Sequence, residues 1–109
     1  MATELANVKK PYSREFTVPA NGASAVGSDK CFLNDDGSGA KVEILRVFST
    51  VDCFVGHSAA ITAQAGTGHQ GDRIFIPANT LIDMGWYSDS LWIRSTVGAP
   101  AGSFLVSGF

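Results

Sequence analysis

Gly66-Thr67-Gly68-His69-Gln70-Gly71 matches a G-x-G-x-x-G dinucleotide turn, the most direct hint of chemistry in the chain. That chemistry needs a helix starting directly after the glycines, so that its free N–H groups and its dipole meet a pyrophosphate. Here the residues after the run, Arg73-Ile74-Phe75-Ile76, read as a strand closed by Pro77, so the context fails and the run reads as a surface loop. Asp52, His57 and Ser58 have the types of a hydrolytic triad, but adjacent His and Ser on a strand point to opposite faces and cannot share a proton. His57 and His69 each lack a second ligand two or four residues away, which argues against a metal site, and no His-x-His pair supports a cupin-like enzyme. Asn34-Asp35-Asp36-Gly37 resembles part of a calcium loop, yet Phe32 stands where the first carboxylate should be, so a turn is the better reading. Cys31 and Cys53 lie in apolar contexts without metal spacing and read as buried free thiols. No catalytic residue, metal or cofactor is assigned.

Any site in this chain would have to be built on strands. Tyr12, Phe16 and Val18 alternate with Ser13, Glu15 and Thr17, with Arg14 the exception on the apolar side, and Asn21-Gly22 supplies a turn able to take positive φ. Lys30–Leu33 reads as a short strand before the turn Asn34–Gly39. Lys41–Phe48 is apolar on both sides, Val42, Ile44 and Phe48 facing one way and Leu45 and Val47 the other, which predicts a central strand. A turn at Ser49–Asp52 into Cys53-Phe54-Val55 predicts a hairpin. Further short strands are expected at Ile61–Ala63, Arg73–Ile76, Thr80–Met84, Ser90–Arg94 and Ser103–Ser107, with a glycine-rich loop over Gln64–Asp72. No window sustains helical periodicity.

The fold class expected is therefore all-β: residues 1–11 form a flexible arm, and residues 12–109 form a single small β-sandwich or jelly-roll-like barrel. Charged residues are 17% of the chain, below the ~25% of an average soluble protein, so much of the surface must be small and weakly polar. A formal net charge of -2 gives no basic footprint for nucleic acid. No apolar run reaches the ~20 residues that span a bilayer, and the first residues lack a secretory core, so folding in a reducing cytoplasm is expected.

Within that frame the aromatic residues carry the binding expectations. Trp92 lies opposite in parity to Leu91 and Ile93, and Phe75 to Ile74 and Ile76; if the aliphatic residues face the core, Trp92, Arg94 and Phe75 form an outward interface. Trp86-Tyr87 beside Ser88-Asp89 reads as a loop platform for stacking on a sugar, with Trp92 as a further ring, which defines the alternative of a carbohydrate-binding or adhesion module.

From Val42 onward the order of features resembles the head decoration or cement proteins of tailed bacteriophages and related small virion proteins. The residues that carry this are Val42-Glu43-Ile44-Leu45-Arg46-Val47, Thr50–Gly56 with Phe54-Val55-Gly56, the Gly/Ala loop Ala65–Gly71, Ile76-Pro77-Ala78-Asn79, Leu91-Trp92-Ile93-Arg94 and Phe104-Leu105-Val106. The first forty residues carry no part of the resemblance. It implies a non-enzymatic virion subunit on the capsid surface that stabilises the assembled head, with other copies of itself, as a trimer, and the major capsid protein as partners.

Overall fold

A computed structural model describes residues 12–61 and 73–109; the expected arm over residues 1–11 and the expected loop over residues 64–72 lie outside them. The described chain runs β1 Tyr12–Val18, a 3-10 turn Ala20–Gly22, β2 Val26–Ser28, β3 Val42–Ser49, β4 Cys53–Gly56, β5 Ile74–Ile76, β6 Leu81–Ser88, β7 Leu91–Ser95 and β8 Gly102–Gly108. All sheet pairing is antiparallel, in two four-stranded sheets of order β1-β8-β3-β6 and β2-β7-β4-β5.

The ladders β1:β8, β2:β7, β3:β6 and β4:β5 describe one long hairpin with its tip between β4 and β5. Rolling that hairpin on itself brings β3 against β8 and β4 against β7. This is the strand order of an eight-stranded jelly roll, so the all-β sandwich expectation holds. The described residues contain no helix beyond the 3-10 turn, where Asn21 and Gly22 take the positive φ their types allow.

The core lies between the sheets. Val18, Leu45, Val47, Phe104 and Val106 meet Cys53, Val55, Ile76, Leu91 and Ile93, every one of them buried. In β7 and β8 the alternation is strict, Leu91, Ile93 and Ser95 inward and Phe104, Val106 and Gly108 inward. Each fully buried large aliphatic or aromatic side chain contributes about 1.5–3 kcal/mol.

The structure corrects several local expectations. β3 and β4 do not form a hairpin: they belong to different sheets, and Ser49–Asp52 is the crossing, tied by Ser49 Oγ donating to the Val51 carbonyl at 2.6 Å. β3 is central as expected, but Val42 faces inward with Leu45 and Val47 while Ile44 is exposed. The cause is a bulge: the N–H groups of Glu43 and Ile44 both donate to the Phe109 carbonyl, at 2.8 and 3.2 Å, which shifts the alternation by one residue. Lys30–Leu33 is not a strand. Cys31 and Phe32 are both buried, which a pleat forbids for neighbours, and both N–H groups donate to the Asp89 carbonyl.

The strand before β3 is instead β2, at Val26–Ser28, where small residues give no periodic signal in the sequence. Ile61 is buried outside any strand, and Thr62 and Ala63 lie outside the described residues. β6 runs on to Ser88, taking in the expected Trp86-Tyr87 loop. Ile74, expected inward with Ile76, is 46% exposed because β5 is a three-residue edge strand with nothing described beyond it.

Cys31 and Cys53 are free and buried, and burial pushes both thiols up to about 11. For Cys31 the charge of Arg14 opposes that rise, and for Cys53 a hydrogen bond with Ser49 opposes it. Because the thiolate is the reactive form, neither should react measurably with a thiol reagent in the native protein at neutral pH, whereas both should be titrated after unfolding in denaturant. Rapid native labelling would refute the burial of the two thiols.

Candidate functional site

The residues that suggested catalysis are each held in structural roles. Asp52 Oδ1 accepts the Ala78 N–H at 2.8 Å and the Asp52 carbonyl accepts from Thr96 N–H, so Asp52 ties the β3–β4 crossing to two other turns. Ser58 Oγ accepts from Ala60 N–H within its own turn. The imidazole of His57 stacks on the Trp86 ring with centroids 4.0 Å apart, and its Nδ1 is 3.5 Å from Ser90 Oγ. Ser90 is buried and its hydroxyl also bonds Ser88 Oγ at 3.0 Å, and no described carboxylate orients the far ring nitrogen of His57. That pair lacks the geometry of a nucleophile and its base.

Asp36 Oδ1 accepts from Ser38 Oγ at 2.6 Å and Ser38 N–H at 3.0 Å, which lowers its pKa and fixes the Asn34–Gly39 turn. Among the described residues no three His, Cys, Asp or Glu side chains come together as a metal site. The glycine-rich run over residues 66–71 lies outside the described residues, and the next described element is β5, a strand rather than the helix a dinucleotide turn requires.

Two outer sheet faces remain. On the second sheet, parity places Phe54, Phe75, Trp92 and Arg94 outward, as expected for Trp92, Arg94 and Phe75. Phe75 is 49% exposed and packs at 5.7 Å, tilted, on Phe54, which Arg73 caps at 4.1 Å from the ring centre. Trp92 lies between Gly27 of β2 and Gly56 of β4, so neither neighbouring strand offers a side chain beside the indole, and its Nε1 donates to Asp29 at 2.9 Å. Arg94 turns its guanidinium inside the chain, Nε to the Gly22 carbonyl at 2.8 Å and Nη1 to the Ile61 carbonyl at 3.1 Å. It braces the loops that frame Trp92.

The stacking platform is a correction. Trp86 and Tyr87 are consecutive strand residues on opposite faces: Trp86 is 5% exposed, covered by His57 and donating Nε1 to the Ser90 carbonyl at 2.6 Å, while Tyr87 is 66% exposed. The two rings cannot share one ligand face, and Trp92 belongs to the other sheet.

The outer face of the first sheet is a candidate that sequence reasoning missed. Its register sets Leu105, Phe48 and Leu81 in one row across β8, β3 and β6, with Glu15 at the β1 end. The next row is Ser13, Ser107, Arg46 and Asp83; the serines bond at 3.3 Å, and Arg46 holds Asp83 through two contacts of 2.8 and 3.0 Å. That pairing keeps the Asp83 carboxyl below its ordinary range, chiefly through the Arg46 hydrogen bond. A shallow groove of about 450 Å³ runs between the rows. Leu81 is 62% and Leu105 45% exposed, while Ile44, 48% exposed, lies beyond the Arg46–Asp83 row, opposite Gly85. The one signal for this face in the sequence is the two-sided apolar pattern of residues 42–48, which a central position also explains.

No protein-family model and no solved structure matches the chain.

Proposed function

We propose that this chain is a non-enzymatic virion structural protein of a tailed bacteriophage, a head decoration or cement protein that binds and stabilises the assembled capsid. What carries the reading is a charge-poor jelly roll with large apolar side chains exposed on both outer sheet faces, Ile44, Leu81 and Leu105 on one and Phe75 on the other. The continuous part of that surface is the row Leu105, Phe48 and Leu81, and contiguous exposed apolar surface marks a contact with another macromolecule. The choice of a capsid, of the capsid surface as location and of three copies per contact rests on the resemblance in strand and turn order. On this reading the outer face of the second sheet, with Phe75 and Trp92 and with Arg94 bracing its frame, packs against other copies and the major capsid protein.

The test is co-sedimentation with assembled heads of the encoding virus, run beside a glycan-binding assay. Wild-type protein is expected to pellet with heads. Trp92→Ala is expected to weaken that association by about 2 kcal/mol, roughly thirtyfold, as for an interface anchor. Protein that binds a glycan and leaves heads alone would replace this reading with the adhesion module.

A further inference from the structure

We propose that the outer edge of β6 is a self-association site at which β6 of a second copy pairs antiparallel about a two-fold axis at Met84. The inference concerns the first sheet and does not rest on the virion reading.

A sheet edge presents unpaired N–H and C=O groups, and proteins blunt it with shortness, proline, charge or a bulge. Of the four edge strands among the described residues, three are blunted. β2 and β5 are three residues each, and Pro77 follows β5. β1 carries Arg14 and Glu15 and follows Pro11 in the sequence. β6 has eight residues, no proline and no lysine, and its one charge, Asp83, is neutralised from within the sheet by Arg46. Its irregularity lies at the end, where Tyr87 takes φ +55 and the register passes from Ile44 with Gly85 to Val42 with Ser88, which leaves Leu81–Gly85 as regular strand.

The free groups can be assigned. Ile44 and Phe109 exchange both hydrogen bonds, and the Ser49 carbonyl accepts from Asn79 N–H on the β6 side. The even-numbered residues of β3 therefore bond β8 and the odd ones bond β6, because an antiparallel strand turns alternate residues to alternate neighbours. Ile82 and Met84, opposite Val47 and Leu45, spend their backbone groups on β3. Leu81, Asp83 and Gly85 point theirs out of the sheet.

A second β6 fits that ladder in a register fixed by charge. Centring the axis on Asp83 would set two carboxylates directly opposite, which is destabilising. Moving it one residue to Met84 pairs Asp83 with Gly85 of the second copy, and Gly85 with its Asp83, each by two backbone hydrogen bonds. Residues 83–85 of each copy form that ladder, inside the regular stretch of β6, and the same face of both sheets stays outward. The two-fold sets the exposed row Leu105–Phe48–Leu81 of each copy on one common face.

The register gives a paired test at Gly85. A Cβ there would meet only the edge of the Tyr87 ring, at 3.3 Å, which can turn aside. G85D sets two aspartates against two aspartates, and G85K sets lysines against them. Sedimentation equilibrium of the full chain should show a doubling step in the wild type, weakened on the order of tenfold in G85D and kept or strengthened in G85K. Far-UV spectra and melting temperatures confirm that each variant is folded, and G85K controls for loss of the glycine. A wild type without a doubling step up to millimolar concentration overturns the proposal. So do equal effects of the two charges, or a doubling step removed by Trp92→Ala and indifferent to residue 85.

Discussion

Phe104→Ala is expected to cost about 3–5 kcal/mol, the range for deleting a fully buried phenylalanine. Phe104 is 0% exposed, on a strand held between β1 and β3, so the hole left behind has a ladder on each side and little freedom to close. A domain of this length has about 5–15 kcal/mol of stability in all, so the variant should lose a large part of it. Its neighbour Leu105 is on the same strand, 45% exposed, and Leu105→Ala should change stability by no more than about 0.5 kcal/mol. Urea unfolding of the two variants reads the facing of β8 directly. Similar losses from both would show that the alternation assigned to β8 is wrong.

Gly27→Ala is expected to detach β2. Gly27 has φ +142, and a Cβ on it would fall on the Leu91 carbonyl oxygen and 2.8 Å from Trp92 Cα. Both are backbone of the paired strand, so the clash is relieved only by separating the ladder. Conformational strain and lost pairing together should cost about 3 kcal/mol. Because Asp29 follows β2 directly, the Trp92 Nε1 bond to Asp29 should go with it, and tryptophan emission should move to longer wavelength at denaturant levels where the rest of the domain is still folded. Gly37→Ala separates the two causes: Gly37 also has positive φ, +86, but nothing lies within 4 Å of its Cβ position, so about 1 kcal/mol is expected. If the two substitutions cost the same, the close approach of β2 to β7 is not what demands glycine at residue 27.

The outward facing of Trp92 and of Phe75 is legible from parity, since each sits between aliphatic residues in a short strand and the pleat has a period of two. Parity also places Arg94 on the right face. That its guanidinium is spent on the Gly22 and Ile61 carbonyls depends on loops distant in sequence, which no local pattern encodes. Trp86 and Tyr87 fail as a platform for a related reason. Serine and aspartate after them signal a turn, but β6 runs through both to Ser88, and Trp86 turns into the core while Tyr87, at φ +55 where the register shifts, stays exposed.

Local pattern alone shows that this chain is built of short strands around one apolar core, because alternation of side chains and turn-forming residues are properties of neighbouring positions. It also suffices for the apolar faces of β1 and β7. Sheet membership is another matter, set by pairing between distant segments. The turn at Ser49–Asp52 has the composition of a hairpin, and it is the rolling of the β4–β5 ladder onto the other sheet that makes it a crossing. The bulge at Glu43–Ile44 has the same kind of origin, since the Phe109 carbonyl that captures both N–H groups arrives from the far end of the chain. Long-range backbone hydrogen bonds set register and sheet membership, and a one-residue change in either moves a side chain from the core to the surface. That is why Val42 faces inward, away from the side its local pattern shares with Ile44 and Phe48, and why the exposed row on the first sheet is visible only in the folded chain.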